Sequence, residues 1–311
     1  MKILLAVDGS AHAEIATRLL ASLCLPSRTE LGILTVVPEH TFLGGITLRK
    51  LNDAPTKNRV QQQKAIELLR EIAQKVNTRH LKTESWVRWG NPAEEILKVS
   101  DEIGASLIIL GAKGLTDQRT FRLGSVAQTM LKHARASILL ARGRPDSDGQ
   151  LTANIKETGT IKRALLATDG SRHSDMVANL LLDLALPRQS EVIVITALQS
   201  HITAWVKTPT LDFQTNQQLL IELQAAEENE ARKITAEVEK RYQAKGYRTA
   251  SLVIKGGAAE SVLAASKKYK PDIIALGSRG LGGIESLLLG SVAERVARYA
   301  ECSVLIGRSP R

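Results

Sequence analysis

Gly111-Ala112-Lys113-Gly114, then nine residues, then Gly124-Ser125, is the stretch that decides how this chain folds, because it occurs twice. The second copy is Gly277-Ser278-Arg279-Gly280, nine residues, and Gly290-Ser291, with every fixed position displaced by 166 residues. Each copy follows a short apolar run of the kind that forms a buried strand, and each stops where a helical pattern begins. A glycine-rich turn leading into a helix N-terminus presents free N–H groups and the positive end of a dipole, which suit a phosphate. The stretch therefore points to a tandem duplication and to an anion site in each copy.

The repeat reaches well beyond the glycines. Ile3-Leu4-Leu5-Ala6-Val7-Asp8-Gly9-Ser10 returns as Ala164-Leu165-Leu166-Ala167-Thr168-Asp169-Gly170-Ser171, and Thr35 as Thr196, at an offset of 161. Gly90 and Gly256 already stand 166 apart, so the second copy carries five extra residues between its second and third strands. A period this long is no solenoid unit; it describes two whole domains. A length of 311 residues gives each of them enough chain for its own core. Residues Gly143–Thr160 are polar, with Gly and Pro, and read as the connection. The expected domains are residues 1–143 and 161–311, with a linker over 144–160.

Composition narrows the classes. Apolar residues at 43% and charged residues at 24% are those of a globular protein. The net charge of +10 divides as +6 over residues 1–150 (21 basic, 15 acidic) and +4 over the rest (21 basic, 17 acidic), so it is spread over the chain. Aromatics make up only 3%, which argues against a base-stacking surface for nucleic acid. The two cysteines, Cys24 and Cys302, occupy unrelated repeat positions and form neither a disulfide framework nor a zinc site. A cytoplasmic location is the expectation. The apolar run Ile3 to Val7 is cut by Asp8, and no stretch reaches the length of a membrane span.

Each half alternates strands and helices. In the first, Ile3–Val7, Leu31–Val37, Glu84–Trp89, Leu107–Leu110 and Ile138–Ala141 read as strands. Ala11–Leu25 (capped by Ser10), Lys57–Val76, Pro92–Ile103 (started by Asn91) and Ser125–Ala134 read as helices. The second half repeats this with strands Ala164–Thr168, Glu191–Ala197, Ser251–Ile254, Ile273–Leu276 and Val304–Ile306, and a long charged helix over about Leu219–Lys245. Such alternation implies a parallel sheet with helices on both faces. In those sheets a ligand sits beyond the carboxyl ends of the strands, where strand order reverses. If strands one and four are neighbours, Asp8 and Gly111 share one crevice, and Asp169 and Gly277 share the other.

The residues there admit more than one use. The glycines can simply turn the chain, or let N–H groups approach an oxygen closely. Asp8 and Asp169 can bind a ribose, cap the turn or hold a metal. His12 and His173, four residues after the aspartates, are tempting acid–base groups but are expected to face solvent from the first helical turn. Trp86 and Trp89 are expected to pack beneath helices, and the cysteines to be inert.

With Asp-Gly-Ser closing strand one and Gly-x2-Gly-x9-Gly-Ser between strand four and the next helix, the chain resembles the universal stress protein family in a tandem form. The resemblance covers almost all of both halves. It implies two Rossmann-like α/β domains, each a five-stranded parallel sheet in order 3-2-1-4-5. It implies an adenine nucleotide (ATP, or ADP or AMP, with or without magnesium) in each crevice. Gly111, Gly114, Gly124 and Ser125 would hold phosphates and part of the ribose, Asp8 would lie near ribose and adenine, and Val36 beside the adenine. The second set is Gly277, Gly280, Gly290, Ser291, Asp169 and Ala197. Alanine at 197 offers less apolar contact than valine. The first loop carries Lys113, Arg119 and Arg122; the second has Arg279 and then, between Leu281 and Leu289, only Glu285 as a charge.

The motifs of phosphoryl-transfer enzymes are missing. There is no Gly-x4-Gly-Lys-Ser/Thr loop and no kinase signature set. The favoured function is therefore an ATP-binding stress-response regulator without efficient turnover and without catalytic residues. A slow ATPase or phosphotransfer enzyme, and a scaffold in which nucleotide is structural, are the alternatives. The fifth strands, Ile138-Leu139-Leu140-Ala141 and Val304-Leu305-Ile306-Gly307, are apolar edges that must be paired or covered. The resemblance implies that they pair with each other, so that one chain looks like a family dimer. Larger assemblies, a homodimer of chains included, would join such units.

Overall fold

The computed structural model describes residues 1–38, 42–43, 46–47, 55–76, 81–115, 123–145, 151–153, 161–198, 213–280 and 289–308. In the first half the main strands are β1 (Lys2–Val7), β2 (Glu30–Val37), β3 (Lys82–Trp89), β4 (Leu107–Gly111) and β5 (Ser137–Ala141). Its helices are α1 (Ala11–Ala21), α2 (Pro55–Lys75), α3 (Pro92–Ile103) and α4 (Ser125–His133). The second half has β6 (Arg163–Ala167), β7 (Glu191–Leu198), β8 (Arg248–Lys255), β9 (Ile273–Gly277) and β10 (Ser303–Gly307). Its helices are α5 (Arg172–Asp183), α6 (Phe213–Gln243), α7 (Ala258–Tyr269) and α8 (Ser291–Tyr299).

Each half forms parallel ladders in the order 3-2-1-4-5, so β1 lies between β2 and β4, and β6 between β7 and β9. The two halves then join edge to edge. β5 pairs antiparallel with β10 through Val304↔Leu140, Leu305↔Leu139 and Ile306↔Ile138, giving one sheet of ten strands. Further along the molecule the Cys24 N–H donates to the Ala185 carbonyl at 3.0 Å, again from one half to the other.

Burial explains why the join falls there. β5 and β10 are buried at every residue and, like the other central strands, read as apolar runs because helices cover both faces. β3 and β8, the outer edges, are only partly buried and carry Lys82, Glu84, Arg88, Arg248 and Lys255 along them. Charge on an edge strand discourages further pairing. Side chains alternate between the two faces. Leu139 and Leu305 therefore enter one core layer and Ile138, Leu140, Val304 and Ile306 the other, and both layers run through the seam into both halves.

Several boundaries differ from the sequence reading. α1 ends at Ala21: the N–H groups of Ser22 and Leu23 turn to the carbonyls three residues back, Leu19 and Leu20, both at 3.2 Å, which tightens the last turn, and Pro26 lies close beyond. α6 begins earlier, at Phe213, and β8 runs over eight residues instead of four. Within the connection, Gly143–Pro145 pairs antiparallel with Leu151–Ala153, and this short hairpin lies beside α1. Trp86 packs over Gly32 of the neighbouring strand beside Ile103 of α3, where even a Cβ on Gly32 would come within 2.6 Å of the indole.

Candidate functional site

The sheet brings Asp8 and the loop after β4 to one end of the first half, and Asp169 and the loop after β9 to the matching end of the second. Gly9 and Gly170, at φ +77° and +75°, turn the chain sharply after each aspartate. The Asp8 carboxylate accepts the N–H of Ser10 at 3.0 Å and that of Leu115 in the loop at 3.3 Å. Asp169 accepts the N–H of Ser171 at 3.0 Å. The hydroxyls of Ser10 and Ser171 then accept from Ala13 and Ser174 and cap α1 and α5. Asp8 thus ties the end of β1 to the glycine loop.

The loop is closed at its base. The Ala112 N–H donates to Ala141 at the end of β5, and the Gly124 N–H donates to Ala112, at 2.8 and 2.9 Å. Ser278 with Gly307, and Gly290 with Ser278, repeat both bonds at 2.8 Å. Each motif glycine has a protein neighbour that demands it. A Cβ on Gly111 would stand 2.8 Å from the Cβ of His12, and one on Gly277 2.8 Å from the carbonyl carbon of His173. The first glycine of the motif therefore lets α1, and in the second half α5, press against the loop. A Cβ on Gly114 would come within 2.9 Å of Asp8 Oδ2, and one on Gly280 within 2.6 Å of Asp169 Oδ2. The second glycine leaves room for the aspartate. Gly124 and Gly290 sit against the loop backbone at Lys113 and Ser278.

Gly124 and Gly290 are also the N-caps of α4 and α8, and among the described residues no side chain caps either helix. The N–H groups of the first turn are thus left for a ligand or water, and Ser125 and Ser291, both exposed, stand at that opening. The two helices differ in charge: α8 carries Glu294 in its first turn, paired with Arg298 at 2.9 Å, and Arg295, paired with Glu260 of α7, where α4 carries Gln128, which donates to the Leu123 carbonyl, and Thr129. Val36 and Ala197, near the carboxyl ends of β2 and β7, are half-buried. Arg119, Arg122 and Glu285 lie outside the described residues.

His12 departs from the sequence expectation. It does not face solvent: it is 2% exposed, packed behind Gly111 where the missing side chain makes room. Burial, aided by the charges of Lys113 and Arg142 and opposed by Asp8, lowers its pKa from 6.5 to about 4. His173 is half-buried; burial first, then Arg279 and Arg172, lower its pKa too. Both imidazoles are neutral at pH 7. Arg142 was not legible as a site neighbour from its own surroundings. Its signal was the repeat, since Arg308 stands 166 residues on, one residue after the fifth strand in each half. Among the described residues no group of three or more His, Cys, Asp and Glu side chains is placed to hold a metal, and no helix is long and apolar enough to cross a membrane.

Two tandem α/β units with this loop repeated in both define a duplicated α/β protein with one glycine-loop crevice in each half. A sequence profile of the universal stress protein family matches residues 1–142 and again 160–308, and the chain belongs to that family. A universal stress protein of Methanocaldococcus jannaschii is 31% identical over 150 residues, 48% of this chain and 84% of its own length. The universal stress protein YxiE of Bacillus subtilis is 26% identical over 154 residues, 48% of this chain and 99% of its own. A solved universal stress protein structure from Archaeoglobus fulgidus shares the fold over 99% of this chain and 98% of its own, with a TM-score of 0.62 at 21% identity.

Proposed function

We propose that this chain is a cytoplasmic stress-response regulator that binds one adenine nucleotide, ATP foremost, in each half and turns it over slowly or not at all. The two modules would be residues 1–143 and 161–311, joined by 144–160. The observation that carries the reading is the double occurrence of one arrangement. In each half an aspartate at the end of the central strand, a glycine loop closed at its base and a helix N-terminus that no described side chain caps share one end of the sheet.

These residues fit a nucleotide. The N–H groups at Ser125 and Ser291 suit phosphate oxygens, and the serine hydroxyls can donate beside them. Lys113 and Arg279 bring positive charge to the same loops. Half-buried Val36 offers an adenine ring an apolar wall, and Ala197 a smaller one. Asp8 and Asp169, at the ends of the central strands, would accept from a ribose hydroxyl or reach magnesium carried in with the phosphates. When bound, the nucleotide would bring its phosphate charge to each loop; the protein contributes binding and orientation.

Mass spectrometry of protein purified under gentle conditions and then denatured tests this. Co-purified ATP supports the sensor, ADP points to hydrolysis, and protein that neither carries nor takes up an adenine nucleotide rejects the reading.

A further inference from the structure

Arg142 and Arg308 occupy one repeat position, each just beyond the fifth strand of its half, and both reach into the opposite half. The Arg142 guanidinium donates to the carbonyls of Ala297 at 3.0 Å, Arg298 at 3.4 Å and Ala300. The Arg308 guanidinium donates to those of Ala134 at 2.5 Å and Leu131. Their backbone N–H groups cross as well, Arg142 to Ser303 Oγ at 3.2 Å and Arg308 to Ser137 Oγ at 3.1 Å. The acceptors keep the same repeat: Leu131 with Ala297, Ala134 with Ala300, Ser137 with Ser303.

These carbonyls close α4 and α8. The last carbonyls of a helix lack partners within it and carry the negative end of its dipole. A guanidinium is a planar fork of fixed donors, able to hold two or three such oxygens at once, and stays charged when buried. Arg308 is buried, and burial brings its pKa down to about 10, still well above neutrality.

α4 and α8 are also the helices whose opposite ends, at Ser125 and Ser291, open the two crevices. Each has nine residues, about 13 Å at the usual rise, and a rod that short transmits a tilt from one end to the other. Each arginine is tied to its own half's loop too. Ala141, next to Arg142, accepts from Ala112 at the base of the first loop, and Gly307, next to Arg308, accepts from Ser278 at the base of the second.

We propose that Arg142 and Arg308 are positioning residues in trans: Arg142, in the first half, sets the phosphate-facing helix of the second crevice, and Arg308 sets that of the first. The two crevices are then coupled in a ring, loop one to Arg142 to α8, and loop two to Arg308 to α4. The proposal rests on the nucleotide reading above for its functional consequence.

The test uses full-length protein with one crevice disabled at a time, by Gly124→Val or Gly290→Val, and titration with ATP. Arg142→Lys keeps the charge but loses the fork. It should weaken the second crevice by roughly fivefold or more, the lower range for coupled sites, while the first stays nearly unchanged; Arg308→Lys should do the reverse. Equal losses at both crevices, or loss in the arginine's own half, would overturn the assignment. Amide hydrogen exchange decides independently of any ligand. Arg142→Lys should speed exchange over residues 291–299 and spare 125–133, and Arg308→Lys should give the mirror image. Uncrossed exchange sinks the proposal even if ATP binds. Crossed exchange in a protein that binds no ATP sustains the positioning role and rejects the nucleotide reading.

Discussion

Leu139 stands directly opposite Leu305 in the antiparallel register of β5 and β10, and both are fully buried in one core layer shared by the two halves. The seam is therefore core, not a surface contact between finished domains. Leu305→Ala should cost about 2–5 kcal/mol by denaturant unfolding, as for other buried leucines. Leu139→Lys combined with Leu305→Lys puts two like charges on facing positions without partners and should let the halves part. Small-angle scattering would show the change in dimensions; an unaltered compact profile for the double variant means that other contacts hold the halves.

Two nucleotides per chain are expected in calorimetric titration of stripped protein. Gly124→Val and Gly290→Val should each remove one, since a side chain there presses on loop backbone already 3.3 Å and 3.0 Å from a bare Cβ position. A stoichiometry of one that falls to zero with a single substitution would refute two independent sites.

How far this was readable from sequence depends on what each residue announces locally. The strand runs around Ile3, Leu107, Ile138 and Val304 announce themselves, because strands covered on both faces must be apolar throughout. The caps Ser10 and Asn91 did too, and each accepts the expected N–H groups. His12 did not. Its neighbours Ala11, Ala13 and Glu14 look like an ordinary first turn, and its burial comes from Gly111, about a hundred residues away, having no side chain. Nor did the hairpin Gly143–Pro145 with Leu151–Ala153, each strand being too short to show a period. The motif glycines were legible as necessary, but the reason differs in part: Gly111 makes way for α1 and Gly114 for Asp8.

Glu294 distinguishes the two crevices. A carboxylate in the first turn of α8 repels an incoming phosphate, although its pairing with Arg298 moderates the effect. The second crevice should be the weaker for ATP. Glu294→Gln, which copies Gln128, should tighten it by the roughly 0.3–1 kcal/mol of a charge at a helix end, about two- to fivefold. Titration in the Gly124→Val background isolates that site. Unchanged affinity would place the phosphates elsewhere.

Turnover should fall well below the roughly 1–100 s⁻¹ of kinases. The Asp8 carboxylate is already engaged by two N–H groups, and His12 is buried behind Gly111. A phosphate-release assay that reaches the kinase range, and loses it in Asp8→Asn with Asp169→Asn, would make the protein an enzyme.

His12 should make the fold acid-sensitive in a defined window. Its pKa is about 4 in the folded chain against 6.5 unfolded, because burial and the charges of Lys113 and Arg142 disfavour the cation more than Asp8 favours it. Between those values the unfolded chain binds the extra proton, so stability rises with pH there. The contribution is complete above pH 6.5, is lost as the pH falls toward 4, and changes little below. A shift of this size corresponds to at most about 3 kcal/mol. Carboxylates titrate in the same range, so the informative quantity is a difference. Unfolding free energies at pH 7 and pH 4.5 should drop further in the unmodified chain than in His12→Gln, which keeps a polar side chain of similar reach but cannot take up the proton. Equal drops would mean that the imidazole finds room to be charged behind Gly111, and that burial there is looser than the packing of α1 against the loop requires.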